Sequence, residues 1–307
     1  MVLQQHFLVI WINKLNENIN NPIAEIFGFP IFNETEKTKR YRDKKLCPFN
    51  NIVPNCTKDK ANNPLGVCSI NHNREAVITC PIRFREDWII IENAAKFFFD
   101  DKSMWTSLTE IKLLDKKQQS AGNIDFVLVS YNEKGPLLDF GSLEVQGVYI
   151  SGNLRNPFDA FLEKPSLDFQ WKSGYNYPKP DYLSSSRKRL IPQMLYKGGI
   201  FKSWNKKQAV ALQKSFFETL PELPQIKKEK ADIAWFLYDL ILNKKTKQYN
   251  LKLTDTIYTE FEAALLKITT PEPGNVCDFI SLLQDKLDER LEGNPPDAPT
   301  LNDILSS

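Results

Sequence analysis

Two acidic residues and one amide between Gly122 and Gly147 carry the groups that can hold a divalent cation and orient a water. Asp125 stands near the start of the apolar run IDFVLVSY, and Glu144 and Gln146 stand near the end of the run LLDFGSLEVQG. On a two-residue strand period Glu144 and Gln146 share one face while Leu143 and Val145 take the other; Asp125 shares a face with Val127 and Val129. The linking NEKGP is turn chemistry, so the two runs predict a hairpin in which Asp125 meets Glu144 and Gln146. Two carboxylates so placed repel, and one is driven towards protonation unless a cation joins them. Hard oxygen ligands from adjacent strands suit magnesium, which keeps several waters and binds substrate phosphate. Glu110, on what the spacing predicts to be the preceding helix, offers a third carboxylate. The plainer account is a turn residue at Asp125, a solvated face at Glu144 and Gln146, and a solvated helix residue at Glu110.

An Asp on one strand and Glu-x-Gln on the next resembles the signature of the PD-(D/E)xK nucleases, with Gln146 where that pattern has Lys. An amide orients water through hydrogen bonds, but it neither acts as a base nor adds positive charge beside a phosphate. More of the work of activating the water and neutralising the transition state then falls on metal ions.

Cys47, Cys56, Cys68 and Cys80 form the second constellation, without any CxxC pair. They fall in a stretch, from about Asn33 to Arg85, with little core periodicity. Four thiols there can supply a tetrahedral sulfur site for zinc or iron, and ligation can replace missing burial; ordinary buried thiols are the alternative. Cys277, far along the chain, reads as a core residue. His6 and His72 are the two histidines, too few for a multi-histidine metal site and in no setting that suggests a catalytic triad. His72 lies within the cysteine cluster, where it is a surface loop residue, a ligand or a base.

A third constellation is cationic. From Ser184 to Lys214 there are eight Lys or Arg and no acid. Ser186, Arg187, Lys188, Arg189 and Lys197 are the residue types that contact DNA phosphates, with Tyr196 and Trp204 as anchors. A solvated helix face is the ordinary explanation of such a run.

The elements that must position these groups come from the same patterns. The chain has 307 residues, 42% hydrophobic and 25% charged with net charge +2, enough apolar material for one large or two modest cores. No run reaches the roughly 18 apolar residues of a membrane span, and FLVIWI at the N-terminus lacks the flanks of a secretion signal, so a cytoplasmic protein is expected. In that compartment thiols stay reduced, which disfavours a disulfide framework. Helical spacing is read over 86–117, from Trp105, Leu108 and Ile111 at three-residue steps. The basic segment predicts a helix begun by its serines and broken at Pro192 and Gly198-Gly199. Helices are expected at ADIAWFLYDLIL, DTIYTEFEAALLKI and VCDFISLLQDKLDERL, with a trailing tail from Glu292.

Taken together, LCPFNNIVPNCTKDKANNPLGVCSI, ITCPIRF, the strand pair through NLRNPF, and PDYLSSSRKRLIPQMLYKGGI resemble the NotI type of type II restriction endonuclease, from about Pro22 to Leu291. The resemblance implies an α/β fold: a PD-(D/E)xK restriction-endonuclease-like core, a mixed sheet flanked by helices, with a small four-cysteine metal-binding domain. The expected divisions are an N-terminal segment 1–85 containing the metal region at about 33–85, a core and helical C-terminal part at 86–291, and a tail at 292–307. It further implies a homodimer hydrolysing both strands of double-stranded DNA with Mg²⁺ at a palindromic, long and GC-rich site. Glu110, Asp125, Glu144 and Gln146 would form the catalytic set, and the four cysteines would hold a structural iron, with zinc as the other metal that suits the thiols. Rival readings are a non-catalytic DNA-binding regulator and a sulfur-metal redox protein.

Overall fold

A computed structural model describes residues 20–60, 63–170 and 176–292. The FLVIWI run, His6 and the tail from 293 lie outside the described residues. Packing divides the chain into two units, residues 1–268 and 269–307. The first unit begins with β1 (Ile23–Ile26), β2 (Phe29–Pro30), helix α1 (Glu36–Asp43), a short hairpin of β3 (Asp59–Lys60) and β4 (Asn63–Pro64), then β5 (Val67–His72) and β6 (Glu75–Ile78). A 3₁₀ stretch, Pro81–Trp88, leads into α2 (Ile89–Phe98). There follow β7 (Met104–Leu114), β8 (Ser120–Tyr131), β9 (Leu137–Gln146), β10 (Tyr149–Ser151), α3 (Arg155–Glu163) and β11 (Lys179–Asp181). Helical residues 182–203, β12 (Gln208–Gln213), β13 (Ile233–Asn243), β14 (Gln248–Thr259) and α4 (Phe261–Thr269) complete it.

Six strands make the main sheet in the order β14-β13-β12-β9-β8-β7. Its centre is parallel, β9 beside β12 and β12 beside β13, while β14, β8 and β7 join antiparallel. Alternate residues of β13 pack on opposite faces: Ile233, Trp235 and Leu237 with Phe158, Leu190 and Met194, and Ala234, Phe236 and Tyr238 with Ile90, Ala94 and Phe97. The sheet is thus covered by helices on both sides, as a parallel centre requires. This is consistent with the mixed α/β sheet flanked by helices that the resemblance implies.

Several local expectations are corrected. ADIAWFLYDLIL is mostly β13, not a helix, because a strand buried on both faces is apolar at every position and loses its alternation. DTIYT belongs to β14, and helix begins only at Phe261. Trp105, Leu108 and Ile111 lie on β7, so Glu110 is on a strand; the helix before it ends at Phe98. The region 33–85 does join the core: Val67, Ile70 and Val77 share a hydrophobic cluster with Phe158 and Trp235. Nor does the basic segment break. Its backbone stays helical from Tyr182 to Ser203, π-helical at Ser186–Leu190 and Met194–Gly198, and the Asp181 side chain rather than a serine caps it, accepting from Ser184 N at 2.9 Å.

The second unit contains α5 (Val276–Leu291), the helix expected there, capped by Asn275 accepting from Cys277 N at 2.9 Å. Cys277 itself is exposed, not a core residue. Among the described residues no helix is long and apolar enough to cross a membrane.

Candidate active site

The NEKGP turn closes through Gly135 N donating to Asn132 O at 2.9 Å, and β8 pairs with β9 in a register that sets Phe126 against Leu143. Asp125 and Glu144 lie one residue beyond the last pair of that register, and their carboxylates are close enough to interact. Val145 N donates to Asp125 Oδ2 at 2.8 Å, which fixes the aspartate against β9. Glu144 lies beside Val210 of β12, and Gln146 beside Leu212, so both are carried by a central parallel strand. Each is only 8% exposed.

Lys197, from the second π-helical turn, reaches the same place. Its Nζ is 2.7 Å from Glu144 Oε1 and donates to Asn123 O at 2.8 Å. The contact with Glu144 is an ion pair between two buried side chains. Burial, then the Asp125 carboxylate, push the Glu144 carboxyl up from 4.5 to about 8, with Lys197 opposing both. One ammonium beside two neighbouring carboxylates offsets a single negative charge, and a cation shared by the carboxylates would relieve their remaining repulsion. Two carboxylates are also what magnesium takes from a protein when phosphate and water fill its other positions. The donor set fits such an ion.

The other expected site residues are placed as follows. Glu110 is exposed and has a left-handed φ of 56°; it stands across from Asp125 where the β7–β8 pairing lapses between Thr109–Phe126 and Ile111–Ile124. Gln146 Nε2 donates to Gly147 O at 2.7 Å. Arg187, Lys188 and Arg189 are exposed on the helical segment, whereas Ser186 is buried with its hydroxyl donating to Leu183 O at 3.1 Å, and Lys197 is buried at the carboxylates. A cleft of about 1000 Å³ runs past Asp125, Gln146, Tyr149, Arg189, Lys58 and Arg155. Sequence reasoning did not bring Lys197 to Glu144; the absence of a lysine at position 146 was the signal that a cation had to come from elsewhere.

The cysteines meet as two pairs. An antiparallel bridge between Leu46 and Asn55, with Cys47 N donating to Pro54 O, sets Cys47 beside Cys56; the β5–β6 hairpin, with Cys80 N donating to Cys68 O at 3.2 Å, sets Cys68 beside Cys80. The pairs interact electrostatically, Cys47 with Cys80 and Cys68 with both. Burial pushes the Cys47 thiol up to about 11, offset in part by the backbone N–H of Phe49, and Gly28 N donates to Cys68 Sγ at 3.3 Å. Gly28 has a φ of 83°, and a Cβ there would lie 2.2 Å from Pro48, so the turn at Gly28 closes directly on the Cys47 loop. Among the described residues no group of three or more Cys, His, Asp or Glu is gathered as a metal-binding cluster. His72 ends β5, paired across the hairpin with Glu75.

The sequence model of the family described as Restriction endonuclease NotI matches residues 31–251, most of the chain. The chain belongs to the NotI restriction endonuclease family. As a NotI-family restriction endonuclease it is a nuclease that acts on DNA. The matched span takes in the four cysteines, Asp125 and Glu144 of the β8–β9 hairpin and the whole helical segment 182–203. Comparison with curated proteins gives no match.

Proposed function

We propose that this NotI-family protein is a type II restriction endonuclease with a PD-(D/E)xK core, cutting both strands of double-stranded DNA at a palindromic, long and GC-rich site with Mg²⁺. The observation that carries the reading is Glu144 beside a second carboxylate: it is 8% exposed, and burial together with Asp125 pushes its carboxyl up to about 8 against the opposing Lys197 ammonium. Asp125 and Glu144 would hold the ion, with Glu110 assisting from the interrupted strand position opposite Asp125. When bound, Mg²⁺ supplies Lewis acidity at the phosphate and stabilises the leaving oxygen. Gln146 spends its N–H on Gly147 O and keeps its amide oxygen to accept from the attacking water, orienting it in line with the scissile bond. Arg187, Lys188 and Arg189 would contact the DNA backbone, with Ser186 supporting the turn that presents them.

By task the chain would divide into an N-terminal segment 1–85 with a metal-binding region at about 33–85, an endonuclease core and helical part at 86–291, and a tail at 292–307, the first segment sharing its core with the sheet through Val67, Ile70 and Val77. Cys47, Cys56, Cys68 and Cys80 would close on a structural iron or zinc; the backbone N–H groups aimed at sulfur suit thiolates better than thiols. A homodimer presents two such sites to the two strands of a palindrome.

Incubation of a plasmid of known sequence with the full chain and Mg²⁺ tests the proposal. Linear fragments whose ends map to one recurring palindrome are expected, and none in the presence of EDTA. Intact plasmid bound by the protein would overturn it in favour of a non-catalytic DNA-binding regulator.

A further inference from the structure

We infer that Lys197 is a positioning residue of the cleavage site, not a contact of the outer DNA surface, and that it brings to the carboxylates the positive charge Gln146 cannot provide. The inference rests on the nuclease reading of Asp125 and Glu144. Three observations carry it. Lys197 is 5% exposed, so its ammonium is withdrawn from the face on which Arg187, Lys188 and Arg189 are displayed. It spans from the helical segment to β8 and β9, held at 2.8 Å by Asn123 O and at 2.7 Å by Glu144. Its carrier turn is fixed by close packing: a Cβ on Gly198 would lie 2.8 Å from both Gln208 Oε1 and Phe261 Cε2, and Gln208 Nε2 donates to Gly198 O at 3.0 Å.

The stem is accommodated as well. Gly122, at a φ of 112°, runs alongside it, and a Cβ there would meet Lys197 Cδ at 3.7 Å, an ordinary van der Waals distance. With both carboxylates ionised, as they would be around a bound cation, one ammonium leaves the site net negative, so the lysine holds Glu144 in place without neutralising its pull on that cation. A point charge fixed here faces a phosphate whose charge grows during cleavage, where preorganised cations act most strongly. A lysine placed only for stability would be an unusual choice, because a buried pair is seldom better than apolar packing.

The test compares Lys197→Met, Gln146→Lys/Lys197→Met and Glu144→Gln with the parent chain, reading three quantities. These are single-turnover cleavage with Mg²⁺, affinity for a cognate duplex with Ca²⁺ in place of Mg²⁺, and the salt dependence of that affinity. Lys197→Met is expected to slow cleavage by about 100-fold or more while duplex affinity and salt slope stay as in the parent. The double variant, with the amine returned on the adjacent strand, is expected to recover at least about tenfold. Cleavage by Lys197→Met at the parent rate overturns the inference. So does a loss of affinity matching the loss of rate with a salt slope shallower by about one, the mark of a phosphate contact, and so does absence of rescue. If Lys197→Met does not fold, Lys197→Gln with and without Gln146→Lys gives the same comparison. An active Glu144→Gln would instead sink the nuclease site itself, which separates the two failures.

Discussion

Glu144→Gln is expected to abolish DNA cleavage while leaving specific duplex binding intact, and at the same time to make the metal-free protein more stable. On the proposed mechanism the loss follows from replacing an anionic metal ligand with a neutral amide, and a fall of about 10³-fold or more is expected from removal of such electrostatic stabilisation. The gain follows from linkage. In the folded chain the Glu144 carboxyl titrates at about 8, against 4.5 for an unperturbed group. Folding therefore favours its protonated form, a contribution fully present below about pH 4.5 and lost as pH rises through about 8. A glutamine never ionises and escapes that loss. In EDTA the variant should melt close to the parent at pH 4.5 and above it at pH 8, by several degrees, since each pKa unit is worth about 1.4 kcal/mol. Equal melting temperatures at pH 8 would mean that Glu144 is not strained by its surroundings; full cleavage would remove it from the site.

Arg83→Met should strongly destabilise the fold. Arg83 and Glu25 are both fully buried and paired at 3.1 Å, and the same guanidinium reaches Glu86 at 2.8 Å and donates to Tyr249 O at 2.9 Å. It also lies over the Phe49 ring at 4.2 Å, beside Cys47. One side chain thus joins β1, the cysteine loop, the 3₁₀ stretch and β14. Among the described residues, removing it leaves Glu25 a buried charge supported by Ser69 Oγ at 2.8 Å. Breaking such a pair costs about 3–5 kcal/mol, and a drop in melting temperature on the order of 10 °C is expected by calorimetry. Adding Glu25→Leu should recover part of it; an unchanged melting temperature in the single variant would show that the pair contributes nothing.

What the sequence discloses, and what it hides, follows from how each element is buried. The β8–β9 hairpin is legible because NEKGP is a strong turn and its strands alternate enough to set Asp125 against Glu144. The sheet centre is not: β12 and β13 are apolar at nearly every position because both faces are covered. At β7 an edge strand with Leu108 and Ile111 exposed imitated a helix through three-residue steps. Gly198-Gly199 looked like a break, yet Gly198 is there for close approach to Gln208 and Phe261. The position of Lys197 is the clearest case. It meets Asn123 across 74 residues of chain, through a π-helical register that shifts its direction, and no local pattern encodes that meeting. The basic run that contains it suggests a solvated or DNA-facing side chain, whereas burial decides otherwise.

The central claim is that Asp125 and Glu144 together grip a divalent cation, and anomalous scattering from crystals of the protein grown with a cognate duplex and Mn²⁺ tests it most directly. A peak within ligand distance of both carboxylates, lost in Glu144→Gln, is the predicted result. A manganese ion bound elsewhere on the chain, with neither carboxylate touching it, would contradict the account.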